Sequence, residues 1–533
     1  MPAQIITLPA QESPDKSEQD EWLATCPDTV LVTRRIREHV ERLLEFVGHD
    51  ARGLSFYEFE KALIPRVFCL GRLLMALFLC RRHEELRTAA AEILDGQRYE
   101  RREARGRWLG TFFGKVRYWR TYLYAKGGGY HPLDGVLKLP GDGFSHHLTS
   151  LMARLATKMS YAQVTVVLGF FLRWSPSQTT VEHAVLGLGR RTAAWFEQAP
   201  VPKDDGEVLV IQIDSKATPT ATETELEKRR GKRKPDRVED SPRHRGRDKR
   251  NRLGRRKRRK AGDKSKNGRA ATLVVMYSLR RGQDATGRPI LKGPIHRRVY
   301  GSYAPKRHAF AIARREANRR GFARGSGKTI QLVTDGDEAL ATYAQEFFPE
   351  AIHTLDVYHA MEYVYEAGRA FFREGSQELQ DWADTQRDLL YGGDAEGVLE
   401  AIRRRLAAIP KTGPGNKGKR ERAEQALHYL AKRTHMMNYD ELLEQDLEIG
   451  SGAVEGAIRY VIGQRFDCAG MRWIRERSEP LLQLRCIEIN GQWENFMDFV
   501  HAAGAGSTAH APPHGVGLKA RTPGPLPTLG IAA

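Results

Sequence analysis

Three acidic residues, placed where elements end or begin, carry the chemistry this chain suggests first. Asp214 closes the apolar run GEVLVIQID, Asp335 closes TIQLVTD, and Glu455 lies in LEIGSGAVEG ahead of a helical pattern. Strand-end carboxylates brought together by a folded sheet can hold two divalent cations about 3.5–4 Å apart, activating an attacking oxygen and stabilising a leaving one in phosphodiester chemistry. An all-carboxylate set suits a hard ion, so Mg²⁺ is the expected cofactor, with Mn²⁺ able to replace it. Nucleic acid is the substrate class that follows.

In LEIGSGAVEGAIRYVIG, Val454, Ala457, Ile458, Val461 and Ile462 form a helical apolar stripe, with Ser451 at the N-cap position. Glu455 flanks that stripe on the side that carries Arg459, and Gly450, Gly452 and Gly456 leave room for a phosphate or a strand. An acid near a helix N-terminus is also favoured by the dipole alone; the two aspartates tip the reading to a metal ligand. Within TDGDEA, Asp335 is preferred to Asp337 because Gly336 predicts a turn after it. In LDVYHAMEY, Asp356 and His359 end the next strand, where supporting a metal site, orienting a carboxylate, touching DNA and forming a structural pair all fit. GSGKT at 325–329 precedes a strand rather than a helix and reads as a turn, not a phosphate loop. His146 and His147 lack partners at ligand spacing and read as loop residues.

The charge supports a polyanionic partner. Of 86 Lys plus Arg against 66 Asp plus Glu, 22 basic and 5 acidic residues fall between Lys228 and Arg269, a local net of +17. Everything else nets +3. This block, with Arg255, Arg256, Lys257, Arg258, Arg259 and Lys260 in one run, is too poor in apolar residues to fold alone and is expected to be a mobile arm on phosphate. The five cysteines, Cys26, Cys69, Cys80, Cys468 and Cys486, form no CxxC pair, which argues for a reducing compartment and against a cysteine zinc site. The most apolar run, Val67 to Cys80, spans 14 residues and includes Arg72, so it reads as a buried helix; with no signal peptide visible, a soluble intracellular chain is expected.

These residues need elements to position them. Residues 1–25 are expected to be disordered, 26–105 helical, and 106–200 to hold a β-hairpin and a helix-turn-helix-like DNA-binding region. The hairpin alternates Val116, Tyr118, Arg120, Tyr122 and Tyr124 with Arg117, Trp119, Thr121 and Leu123, a pattern open to nucleic-acid stacking and to plain sheet packing. In SPSQTTVEHAVLGLG, Ser175 is a plausible N-cap and Val181, Ala184, Val185 and Leu188 an apolar face. Ser177, Gln178, Thr180 and His183 then fall on the exposed side, as in a recognition helix, although a helical hairpin explains the same pattern. Residues 207–360 read as the first part of an α/β core of ribonuclease H-like order, interrupted by the basic arm within 223–270. Its strands are expected at 208–213, 272–279, 296–300, 329–334 and 351–355, with a helix at 307–320. An all-α insertion at 361–447, broken by the loop at 410–420, precedes the catalytic-helix region at 448–503, and 504–533 reads as a disordered tail.

The run IGSGAVEGAIRYVIGQRFDCAGMRW, together with TDGD, DVYH and the SY…SPSQTT segment, resembles the insertion-sequence transposases of the ISKra type, DDE enzymes distantly similar to Mutator-like transposases. The resemblance covers roughly residues 100–500. It implies Asp214, Asp335 and Glu455 as the metal-binding triad, Asp356 and His359 as the family's Asp/Cys-x-x-His element, and Gly470, Met471, Arg472 and Trp473 following the catalytic helix, with Arg459, Arg472 and Trp473 among the DNA contacts. It also implies a bacterial, nucleoid-associated enzyme that acts as a homo-oligomer on terminal inverted repeats and target DNA. The long basic insertion after Asp214 departs from that pattern. A transposase-derived DNA-binding protein without activity and a ribonuclease H-like nuclease are the alternatives.

Overall fold

The computed structural model describes residues 27–87, 93–94, 97–126, 128–172, 174–227, 268–468 and 471–504. The expected N-terminal and C-terminal tails, the basic arm with Arg255–Lys260, and Gly470 lie outside the described residues. The described residues fall into two compact units: one takes those within 27–151, 165–176 and 498–504, the other those within 152–164 and 177–497.

In the first unit, helices α1 (Thr29–Gly48) and α2 (Phe56–Arg87) accompany strands β1 (Glu100–Thr111), β2 (Gly114–Ala125) and β3 (Gly128–Tyr130), which pair antiparallel in that order. Asp28 caps α1 by accepting from the Leu31 N–H. The core joins Val32, Ala76, Leu79 and Cys80 to Leu109, Val116 and Tyr118. The hairpin is therefore as expected, but its first strand begins at Glu100, inside the stretch read as helical.

The expectation of a buried helix at Val67–Cys80 holds only for one face of α2. Ala76, Leu79 and Cys80 are buried, whereas Val67 and Phe78 are 46% and 52% exposed. By length and composition α2 is long and apolar enough to cross a membrane. His146 and His147 open a helix, His146–Ala156, rather than sitting in a loop.

In the second unit, the helix read as a recognition element is α3 (Gln178–Gly189). Its cap is Ser177, which accepts from the Thr180 N–H, and not Ser175, whose hydroxyl instead reaches the Thr165 carbonyl at 2.6 Å. Val181, Ala184, Val185 and Leu188 are buried as the spacing predicts.

The sheet is built from β4 (Val208–Ala221), β5 (Gly268–Gln283) and β6 (Pro289–Ser302), then, after helix α4 (Lys306–Arg319), β7 (Thr329–Thr334), helix α5 (Glu338–Phe347) and β8 (Ile352–Leu355). The order is β8-β7-β4-β5-β6, antiparallel among β4, β5 and β6 and parallel from β4 to β7 to β8. Because side chains alternate along a strand, one face carries Leu209, Ile211, Ile213, Ile330 and Leu332. These pack on Ala309, Phe310, Ala313 and Ala317 of α4 and on Leu340 and Ala344 of α5, forming the main core. The opposite face carries Gln212, Asp214, Gln331, Asp335 and Asp356.

A helical insertion follows: α6 (Val357–Phe371), α7 (Gln377–Tyr391), α8 (Ala395–Ala407) and α9 (Asn416–Ala431). Helix α9 absorbs the second half of the segment read as a loop at 410–420. The chain returns through α10 (Gly452–Ala457), a π-helical stretch at Ile458–Gly463, β9 (Trp473–Ile474) and α11 (Arg475–Ile489). β9 pairs parallel with the far end of β4, at Thr220 and Ala221.

Helix α3 packs on α11. Gly189 lies so close to Pro480 that an added Cβ would come within 2.2 Å of its ring, and Arg477 pairs with Glu182 at 3.2 Å. This contact buries the apolar stripe and leaves Gln178 and His183 exposed; Thr180 is half-buried and its hydroxyl is engaged with Ser177 at 2.9 Å.

Candidate functional site

Strand register sets the first part of the site. Ile213 is level with Thr334 on β7, and Thr334 is level with Leu355 on β8. Asp214, Asp335 and Asp356 each stand one residue beyond those pairs, three carboxylates abreast where the parallel ladder ends. Asp214 is not at the end of its own strand, as the apolar run suggested. β4 continues to Ala221 because β5 keeps pairing with it, Asp214 facing Leu273.

Each carboxylate meets a different environment. Burial pushes the Asp214 carboxyl above its usual range; the Ser215 N–H, 2.5 Å away, opposes this, and the like charge of Asp335 adds to it. Asp335 opens the turn at Gly336, accepting from the Asp337 N–H at 2.9 Å. Gly336 has φ +73°, and a Cβ there would fall within 2.7 Å of Arg433, Leu355 and Tyr429.

The insertion holds this turn. The Tyr429 hydroxyl donates to the Asp335 carbonyl, and Arg433 donates from Nε and Nη2 to the Gly336 carbonyl at 2.8 and 2.5 Å. Asp337 has another job: it caps α5 through the Ala339 and Leu340 N–H groups and pairs with Lys306 at 3.3 Å. That leaves Asp335 as the carboxylate of TDGD turned to the site.

Asp356 is fully buried and saturated with donors. Its Oδ1 accepts from the N–H groups of Ser451 (3.1 Å) and Tyr358 (3.2 Å), and its Oδ2 takes the Ser451 hydroxyl and His359 Nδ1, each at 2.7 Å. Burial alone would raise its pKa, but these hydrogen bonds, led by His359, hold it below the usual carboxylate range. Reciprocally, the Asp356 hydrogen bond outweighs burial and lifts His359 to about 9. Asp356→Ala would leave four donors around a buried hole and take from His359 the carboxylate that lifts its pKa. The expected loss, roughly 3–5 kcal/mol, is readable by urea unfolding; a loss under about 1 kcal/mol would contradict this account of the carboxylate.

Glu455 arrives from the other side. Ser451 occupies the N-cap position of α10, but its hydroxyl does not cap the helix. It lies within hydrogen-bond distance of both Asp356 Oδ2 and Glu455 Oε1, the latter at 3.1 Å. Gly452 and Gly456 have open space where a Cβ would stand, in accord with the room read from the sequence, whereas Gly450 faces the Tyr358 ring at 3.0 Å.

Directly after α10 the helix widens. Buried Arg485 donates to the carbonyls of Tyr460 and Val461, satisfying groups in the π-helical turn. Arg459 and Arg472 are exposed; Trp473 is half-buried, donating to the Phe466 carbonyl at 3.1 Å with the Arg465 guanidinium over its ring.

Among the described residues, the set whose ligand atoms all lie within 4.8 Å of one another is Asp356, His359 and Glu455. Asp214 and Asp335 lie outside that set, yet both are tied to it electrostatically, since each interacts with His359. All five predicted groups therefore share one neighbourhood.

The donor chemistry fits a divalent cation. Two neighbouring carboxylates of like charge, one with its ionised form disfavoured, are relieved by a cation between them, and Asp214, Asp335 and Glu455 offer hard oxygen ligands. Asp356, with both oxygens occupied, suits orienting His359 and Ser451 instead.

Two residues of the site gave little signal in the sequence: Gln212 and Gln331, fully buried on the same sheet face. Amides inside the runs VLVIQID and TIQLVT were the available clue, because a buried polar side chain needs a partner. No protein-family model and no curated protein sequence matches the chain.

Proposed function

We propose that the chain is a DDE-type transposase that cleaves DNA at the ends of an insertion sequence and joins the freed 3′-hydroxyl to target DNA. The observation that carries this reading is the alignment of Asp214, Asp335 and Asp356 at one level of the sheet, with Glu455 brought beside Asp356 and His359. The sheet order, three antiparallel strands followed by two parallel ones, supports a ribonuclease H-like core.

In this reading Asp214, Asp335 and Glu455 hold Mg²⁺ or Mn²⁺. When bound, the ions activate the attacking oxygen and stabilise the leaving 3′-oxygen. Asp356 fixes His359 and Ser451 and through them the position of Glu455. Double-stranded DNA is the partner, engaged by the basic arm, by Arg459 and Arg472, and by the outer face of α3. The enzyme works in the bacterial cytoplasm as a homo-oligomer on DNA.

The test is incubation of the full chain with Mg²⁺ and duplexes that carry the DNA flanking its reading frame. Joined strands support a transposase; cuts without joining indicate a nuclease of the same architecture; binding without cleavage indicates a transposase-derived binding protein.

Recognition is tested separately. Gln178→Ala or His183→Ala is expected to cost about 1–3 kcal/mol of affinity on cognate ends and little on scrambled DNA. Competition binding checks this, and equal losses on both DNAs would assign α3 to folding alone.

A further inference from the structure

Gln212 and Gln331 lie in the middle of strands whose neighbouring positions are Val, Ile and Leu, and both are fully buried. An amide in such a place is costly unless all of its polar atoms are satisfied. Here both amides are satisfied largely by one segment, 448–454, which leads into Glu455.

The Gln331 amide pairs with the backbone of a single residue. Its Nε2 donates to the Glu448 carbonyl at 2.6 Å and its Oε1 accepts from the Glu448 N–H at 3.0 Å, while the second amide hydrogen reaches Thr354 at 3.0 Å. Gln212 spans the next stretch, donating to the Gly450 carbonyl at 3.1 Å and accepting from the Val454 N–H at 2.9 Å, with the Tyr277 hydroxyl at 3.3 Å. Between these anchors the Val357 N–H donates to the Ile449 carbonyl at 2.9 Å.

The segment is thus laid on the polar face of the sheet like an extra strand held by side chains. Gln212 is two residues before Asp214 on the same face, and Gln331 is four before Asp335. Each amide ties the strand that supplies one aspartate to the segment that supplies the glutamate.

We propose that Gln212 and Gln331 are positioning residues that set the distance of Glu455 from Asp214 and Asp335, and hence the affinity of the site for a divalent cation. This rests on the metal-binding reading above. Neither amide touches the ion; each acts through the backbone of 448–454, as groups behind the ligands commonly do in metal sites.

The experiment uses the full chain and the variants Gln212→Met and Gln331→Met, which keep length and lose the hydrogen bonds. Mn²⁺ binding is read from the electron paramagnetic resonance of free Mn²⁺, and backbone hydrogen exchange is followed across 448–455. The expected result is Mn²⁺ affinity lowered about tenfold or more, faster exchange at Glu448 and Val454, and binding to duplex DNA unchanged within about threefold.

Unchanged Mn²⁺ affinity in folded variants would overturn the proposal, as would unchanged exchange. Should the Met variants fail to fold, Gln212→Asn and Gln331→Asn, which keep the amide but shorten its reach, carry the same measurements. If those also fail to fold, the amides are needed for the fold itself and the positioning role is overturned. If wild type binds no Mn²⁺, the metal reading falls by itself, and the exchange data alone then decide whether the amides hold the segment: acceleration supports the clamp and its absence overturns it.

Discussion

Asp214→Asn, Asp335→Asn and Glu455→Gln are each expected to abolish DNA cleavage and joining while leaving DNA binding within about threefold of wild type. Each change removes a charged oxygen ligand and leaves the groups that bind phosphate in place. Metal-held oxygens contribute several kcal/mol to phosphodiester chemistry, so the rate should fall about a thousandfold or more. Asp337→Asn is the control within TDGD, because Asp337 caps α5 and pairs with Lys306. It should cost less than about 1 kcal/mol of stability, because the asparagine oxygen can still cap α5 and only the partly exposed pair with Lys306 is lost, and it should leave most of the activity. Gel assays of cleavage and joining read both outcomes; joining retained by any of the three would remove that residue from the triad.

The second large effect concerns the basic segment. Replacing Lys228–Asn267 with a short Gly/Ser linker leaves β5 intact, since that strand starts at Gly268. DNA affinity should fall on all sequences, and the dependence of log affinity on log salt should flatten by about 0.9 for each phosphate that the protein no longer neutralises. Six such phosphates would lower the slope by about 5. Preference for cognate over scrambled ends should survive, because phosphate contacts position a protein and base contacts specify its sequence. Fluorescence titrations at several salt concentrations measure the slope, and an unchanged slope would show that the segment does not touch DNA in the complex.

The sheet was legible because its strands are apolar runs with clear ends. β7 matches its expected bounds, and β8 and α4 differ by a residue at their ends. β5 (Gly268–Gln283) and β6 (Pro289–Ser302) run well past their expected bounds of 272–279 and 296–300, and β4 is longer than expected because after Asp214 the segment SKATPTA is polar and includes Pro219. What extends it is pairing with a partner strand 40 or more residues away, and a non-local ladder leaves little trace in local composition.

The choice of Asp335 over Asp337 followed from Gly336, and its physical basis is the cap that occupies Asp337. Ser175, read as the cap of α3, misses the observed cap Ser177 by two residues, because a serine at either position can precede the same apolar stripe. The clasp of Tyr429 and Arg433 on the Asp335–Gly336 turn was not legible at all: it joins positions about a hundred residues apart, and neither residue type announces such a role. The Gln212 and Gln331 anchors belong with it. Their amides stood out in apolar runs, but their partner is backbone, which no sequence pattern marks.

The most direct test is where divalent metal binds in a crystal of the full chain with DNA, read from the anomalous scattering of Mn²⁺. The account predicts peaks coordinated by Asp214, Asp335 and Glu455, with Asp356 in contact with His359 and Ser451 and not with metal. A peak held by Asp356, His359 and Glu455 without Asp214 and Asp335, or no peak at these residues, would contradict it.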